Sequence, residues 1–336
     1  MYKAKESRYD CMEYRRCGAS GLKLPAVSLG LWHNFGDRSS YDMMKKLCFT
    51  AFDNGITHFD LANNYGPEPG SAERNWGRIL KEELKDYRDE LIISTKAGYD
   101  MWKGPYGDWG SRKYLLASLD QSLLRMGLDY VDIYYHHRMD PETPLEETMG
   151  ALNQAVISGK ALYAGLSNYD GETMKKACRI LEELHCPFVI NQNRYNIFDR
   201  TIEQNGLKQA AAEEKKGIIA FSPLAQGLLT DRYLDGIPSD SRIAVDGRFL
   251  RASQITEERA AQIRSLNRLA SERGESLARM ALEWVLKDDA VTGVLIGASR
   301  PEQLLENLKI IDRTPFTKEE LKAVDEAVFG QESRAE

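Results

Sequence analysis

One pattern constrains the fold of this chain more than any other. Eight short apolar, β-branched runs recur along it, and most are followed by a stretch with helical spacing. The runs are "AVSLG" at 26–30, "ITHFD" at 56–60, "LIIST" at 91–95 and "YVDIYYH" at 130–136. "ALYAGLS" at 161–167, "FVINQ" at 188–192, "GIIAFS" at 217–222 and "TGVLIGA" at 292–298 complete the set. Runs of this kind read as buried parallel strands, because a parallel sheet is covered on both faces. Between them, "YDMMKKLCFTAFDNG" has helical spacing and a glycine stop at Gly55. "SAERNWGRILKEEL" opens at Ser71, and "SRKYLLASLDQSLLRMG" runs from Ser111 to Gly127. "PLEETMGALNQAVISG", "GETMKKACRILEEL", "GLKQAAAEEKKG" and "RPEQLLENLKII" continue the alternation. Strand–helix repeated eight times predicts an α/β fold of the (β/α)8, or TIM-barrel, type; an open doubly wound sheet is the competing arrangement.

The length of 336 residues suits one large barrel or two ordinary domains. No low-complexity linker interrupts the chain, so a single domain over 1–336 is expected. Residues 11–25, "CMEYRRCGASGLKLP", have a turn-forming centre and predict an N-terminal β-hairpin that closes the barrel bottom. Residues 223–291 are too long for one crossover: a loop over 223–250 precedes helical stretches at 257–273 and 277–287. Loops of that length are usually functional or mobile. A C-terminal segment covers 312–336.

The formal net charge is −6 and the sequence pI about 5.6. That argues against nucleic acid or an anionic membrane as the main partner. The five cysteines are scattered and odd in number, so neither a disulfide framework nor a zinc site is expected. No apolar stretch marks the N-terminus, and no run approaches a membrane span. A cytoplasmic protein is the expectation.

In a barrel, chemistry collects where strands end at their carboxyl side. The second run ends in Asp60 with Tyr65 just beyond, the third in Lys96 and the fourth in His137. Aspartate often ends a strand and tyrosine often packs a loop, so the first pair alone says little. Together the four residues solve one problem, the reduction of a carbonyl. Hydride addition leaves an alkoxide that needs a proton. A phenol has a pKa of about 10, and a nearby ammonium lowers it. Lys96 supplies that ammonium, Asp60 keeps it charged, and a neutral His137 donates to the substrate oxygen.

This set, in "FDLANNYG", "ISTKAG" and "DIYYHHRMD", resembles the tetrad of the aldo-keto reductases. The resemblance runs from about residue 13 to about 325. It implies a (β/α)8 barrel that uses NADP(H) and no metal, with Tyr65 as proton donor. His136 competes for the histidine role, but His137 holds the motif position. The chain has no G-x-G-x-x-G; "GPYGDWG" at 104–110 has the wrong spacing. The resemblance instead places Ser167, Asn168 and Gln192 at the nicotinamide amide, and Phe221 against its ring. It places Ser222, Pro223, Leu224, Gln226 and Gly227 at the pyrophosphate. It puts Gly297, Ser299, Arg300, Gln303, Glu306 and Asn307 at the adenosine end. It matches Trp32 to an aromatic near cofactor and substrate, with His33 beside it as a pocket-rim or hydrogen-bonded loop residue. Arg232, Arg242 and Arg300 are candidate cations for a 2′-phosphate, which favours NADP over NAD.

The narrower resemblance, in "SLGLWHNFG", "HFDLANNYGPEPGSAE" and "SPLAQGLLT", is to the branch related to voltage-gated potassium-channel β-subunits. It implies small aldehyde substrates, of the L-glyceraldehyde 3-phosphate and methylglyoxal kind, contacted by Trp32, Tyr65 and His137. The loop 99–112, with Lys103 and Arg112, either receives a substrate phosphate or packs ahead of the next helix. A homo-oligomer is expected. The alternative is a channel-binding protein with vestigial turnover.

Overall fold

The computed structural model describes residues 2–66, 68–233 and 255–330. Strands β1 (Tyr14–Arg16) and β2 (Lys23–Pro25) form the antiparallel N-terminal hairpin, with Tyr14 opposite Pro25. Eight parallel strands then close into a barrel. They are β3 (Val27–Gly30), β4 (His58–Asp60), β5 (Ile92–Ala97), β6 (Val131–His136), β7 (Ala161–Ser167), β8 (Phe188–Arg194), β9 (Gly217–Phe221) and β10 (Gly293–Ile296). Each falls on one of the eight apolar runs, and β10 pairs with both β9 and β3, so no open edge remains. The TIM barrel is the fold, and the open sheet is excluded.

Helices wrap the strands: α1 (Tyr41–Asp53), α2 (Ser71–Ile79), α3 (Arg112–Met126), α4 (Leu145–Ile157), α5 (Gly171–Glu183), α6 (Thr201–Gln204), α7 (Leu207–Glu213), α8 (Glu257–Glu272), α9 (Leu277–Val285), α10 (Pro301–Leu308) and α11 (Lys318–Phe329). Local chemistry sets their ends. Ser40 caps α1 by accepting from the Met43 amide, and Ser111 caps α3 by accepting from the Tyr114 amide. Gly127 closes α3 at φ 66°, a conformation open to glycine. One element departs from its pattern. "SAERNWGRILKEEL" predicts a single helix, but α2 stops at Ile79 and the chain passes through a wider turn over Leu80–Leu84 and a tighter one over Lys85–Glu90.

The hairpin plugs the amino end of the barrel. Cys17 and Leu24 are buried against Ile133, Val189, Ile219 and Leu295. Contact is so close that a Cβ on Gly217 would lie 2.7 Å from the Cys17 sulfur. Sealing that end leaves the carboxyl end as the opening, which is where the site lies. The cofactor-loop expectation over 223–250 is described only to Tyr233; its remainder, Arg242 included, lies outside the described residues. No described helix is long and apolar enough to cross a membrane.

Candidate active site

Asp60 is the last residue of β4, and the chain turns immediately beyond it. The Gly66 amide donates to Trp32 O at 3.1 Å, which ties this turn to the loop after β3. Alternation along β5 points Ser94 and Lys96 to the barrel interior together. As a result, the Lys96 Nζ, fully buried, donates to Asp60 Oδ2 at 2.5 Å, to Leu61 O at 2.7 Å and to the Tyr65 hydroxyl at 3.3 Å. The Tyr65 and His137 rings meet edge to face with centroids 5.8 Å apart. The four residues from four separate segments therefore converge at the mouth of the barrel.

Their protonation follows from burial. The His137 imidazole is pulled well below its ordinary 6.5, by burial first and then by the Lys96, His136 and Arg138 charges. It is neutral, as the sequence reading required. The Tyr65 phenol corrects that reading. A lowered phenol was expected beside Lys96; instead burial, with the Asp60 charge and Tyr99 adding to it, holds the phenol well above 10.0. Lys96 already has Asp60 as counter-charge, so it offsets little of the cost of enclosing a phenolate. Burial likewise draws Lys96 below 10.5 while Asp60 opposes the shift. Tyr65 thus stands in the proton-bearing form.

A second layer holds Asp60 in place. Its Oδ1 accepts from Ser94 Oγ at 2.7 Å and from Gln192 Nε2 at 3.0 Å. Ser94 Oγ lies 2.9 Å from His58 Nε2, and His58 Nδ1 lies 3.0 Å from Ser28 Oγ. Because Ser94 gives its proton to Asp60, it must accept from His58. That fixes His58 as the Nε2–H tautomer with Nδ1 accepting from Ser28. Every proton in the chain points toward the carboxylate. Ser94 and His58 were missed in the sequence, although each stands two residues before a tetrad member on the same inward face.

Above this floor is a cavity of about 650 Å³. Tyr65, His137 and Trp32 line it at the reacting end. Asn168, Gln192 and Phe221 line it next, then Ser222, Pro223, Leu224, Gln226 and Gly227. Arg232, Gly297, Ser299 and Gln303 line its far reach. Lys96 lies beneath the cavity, in contact through Tyr65. Ser167 is fully buried behind Asn168, from which its Oγ accepts at 3.2 Å. Arg300, Glu306 and Asn307 do not line the cavity; Arg300 leads into α10 and Glu306 pairs with Lys309 at 2.6 Å. His136 turns to the other side of β6, with Nδ1 2.7 Å from the Tyr169 hydroxyl. Arg112 packs on α4, donating to Gly150 O and to Gln154 Oε1 at 3.2 Å. Lining residues that sequence reasoning did not single out include Asn64, Tyr99 and Arg194.

The donor set fits a dinucleotide. Ser222, Ala225, Gln226 and Gly227 all have positive φ, between 48° and 103°. The loop turns tightly on itself there, the Ala225 amide donating to Ser222 O at 2.9 Å and the Gly227 amide to Leu224 O at 2.8 Å, and it brings backbone against the cavity. Asn307 is buried, and its Nδ2 has no partner among the described residues. Phe221 adds a flat aromatic face.

Residues 26–328 match the Aldo/keto reductase family. The chain belongs to the aldo-keto reductases. Among its relatives is "L-glyceraldehyde 3-phosphate reductase" of Escherichia coli (strain K12), 56% identical over 328 residues, which covers 97% of this chain and 95% of that protein. A "Probable voltage-gated potassium channel subunit beta" of Oryza sativa subsp. japonica is 32% identical, covering 97% of this chain and 99% of that protein. A "Putative voltage-gated potassium channel subunit beta" of Schizosaccharomyces pombe is 36% identical, with 93% and 92% covered. The chain is an oxidoreductase of this family, which works with nicotinamide cofactors.

Proposed function

We propose that this aldo-keto reductase reduces small aldehydes to primary alcohols with NADPH, using Tyr65 as the proton donor. The observation that carries the reading is the double contact of one buried ammonium, Lys96 Nζ, with Asp60 at 2.5 Å and with the Tyr65 hydroxyl at 3.3 Å. That contact serves the moment when the phenol gives up its proton. Bound in the cavity, the nicotinamide supplies the hydride. Phe221, Asn168 and Gln192 would hold its ring and amide, the 222–227 loop its pyrophosphate, and Arg232 its 2′-phosphate.

The chain's own residues do the rest. His137, neutral, donates to the carbonyl oxygen and fixes its direction. Tyr65 is placed to give its proton to the carbonyl oxygen as that oxygen gains the electron pair of the C=O bond. The phenolate left behind is stabilised by Lys96, and Asp60 with its Ser94 and Gln192 donors keeps Lys96 charged. Water returns a proton to Tyr65. The relative's name supports L-glyceraldehyde 3-phosphate as a substrate, and methylglyoxal is a second carbonyl of suitable size. The whole chain acts as one barrel domain.

The likeness to channel β-subunits supports a second reading, a binding protein with little turnover. One assay separates the two. Purified protein is mixed with NADPH and either methylglyoxal or glyceraldehyde 3-phosphate, and the nicotinamide absorbance is followed. Steady loss of absorbance with both aldehydes supports the reductase; no loss with any small aldehyde overturns it.

A further inference from the structure

Among the described residues, few positive charges reach the cavity. Lys96 is sealed below it and paired with Asp60. His137 is neutral. Arg138 is turned aside: its Nε donates to Gly98 O at 2.7 Å, and its guanidinium lies 3.5 Å over the Trp109 ring. Arg112 is held by α4, and Lys103 does not line the cavity. Among the described residues, Arg194 and Arg232 are the arginines and lysines left on its wall. Arg232 sits just after the 222–227 loop assigned to the cofactor pyrophosphate.

Arg194 is different. It ends β8, two residues after Gln192, so the strand's alternation stacks it on the same inward face, one step nearer the mouth. Gln192 bonds Asp60 directly, so Arg194 rises from the wall beside the tetrad. Its guanidinium lies 5.7 Å from the centroid of Phe221, the ring assigned to the nicotinamide. Its ionic contact is slack: Asp199 is 4.0 Å away, and about half of the arginine side chain is exposed. No hydrogen bond from the guanidinium is formed among the described residues. A delocalised cation, loosely held and aimed into a reducing cavity, is a ready receptor for an oxyanion, because its planar fork matches a phosphate.

We propose that Arg194 receives the phosphate of a short phosphorylated aldehyde and gives the enzyme its preference for such substrates. The inference rests on the reductase reading above and adds the residue that selects the substrate. Arg194 touches neither the hydride nor the proton path. Its contribution is to binding and to the placement of the carbonyl against Tyr65 and His137.

The test compares wild type with Arg194→Gln and Arg194→Lys on glyceraldehyde 3-phosphate and on glyceraldehyde. The quantity read is the preference, the ratio of the two kcat/KM values. A charge-assisted contact of this kind predicts that Arg194→Gln lowers the ratio by about 10–100-fold, chiefly through KM for the phosphorylated aldehyde. Arg194→Lys recovers part of the ratio by restoring the charge. An equal fall with both aldehydes, or an unchanged ratio, overturns the proposal. An equal fall that accompanies a rise in the NADPH dissociation constant would assign Arg194 to a cofactor phosphate instead. Wild type inactive on both aldehydes is a separate failure, and it is the reductase reading that falls.

Discussion

At the scale of single residues, the site depends on which groups carry protons. Tyr65 is held protonated and His137 neutral, both by enclosure. Reduction needs both in those states. With His137 drawn well below 6.5 and Tyr65 pushed well above 10.0, neither titrates near neutrality. We therefore expect kcat/KM for reduction to stay level from about pH 6 to about pH 8. A profile that rises with a midpoint near the ordinary histidine value of about 6.5 would show that His137 is not enclosed as described. A second expectation concerns the arginines. Arg232 lines the cavity and Arg300 does not. Arg232→Ala should weaken NADPH binding by about tenfold or more and leave NADH nearly unaffected, since one charge-assisted contact to a phosphate is lost. Arg300→Ala should do less. Equal losses for the two cofactors would place Arg232 away from the 2′-phosphate.

At the scale of elements, the strands organise the chemistry in two layers, and the lower layer gives its own prediction. Ser94→Ala removes the acceptor of the His58 Nε2–H and one of the donors to Asp60. Leaving a buried donor without a partner costs about 1–3 kcal/mol. Denaturant unfolding should show that loss, and the rate of reduction should fall because Asp60 is less well fixed. Unchanged stability would mean that the Ser28–His58–Ser94 chain is not formed. This layer also shows where the sequence stopped speaking. The eight strands were legible, because buried parallel strands are continuous apolar runs. That Asp60, Tyr65, Lys96 and His137 meet at one end of the barrel was legible, because each follows or ends a strand at its carboxyl side. His58 and Ser94 were not. Strand alternation puts each on the inward face two residues before a tetrad member, but that the two meet each other and Asp60 depends on the register between neighbouring strands, which only the closed barrel sets. The raised phenol of Tyr65 was misread for a similar reason: proximity to Lys96 can be guessed from order along the chain, but the depth of enclosure cannot. The cofactor assignments came from the resemblance, and the cavity separates them into wall residues such as Phe221 and Gln226 and outlying ones such as Glu306.

At the scale of the whole molecule, closing the barrel buries histidines that must stay neutral, and this couples stability to pH. His58 and His136 are each lowered from 6.5 to about 4 by burial. Between those values the unfolded chain binds protons that the folded chain refuses. Stability is therefore complete above about pH 6.5 and falls as the pH drops toward 4, by ~2 kcal/mol from each histidine at about pH 5. Urea midpoints measured at several pH values should fall across that window, and a flat series would mean that these imidazoles are solvated. The central claim, that the folded barrel places one proton donor over one anchored ammonium, is tested most directly by Tyr65→Phe. NADPH binding, followed by fluorescence, and reduction of glyceraldehyde 3-phosphate, followed by absorbance, are measured on the same preparation. The account predicts binding within about twofold of wild type and turnover lower by about 10²–10⁴-fold, the usual worth of a positioned acid. Turnover within a factor of a few of wild type, with binding intact, would contradict it, because another group would then be delivering the proton.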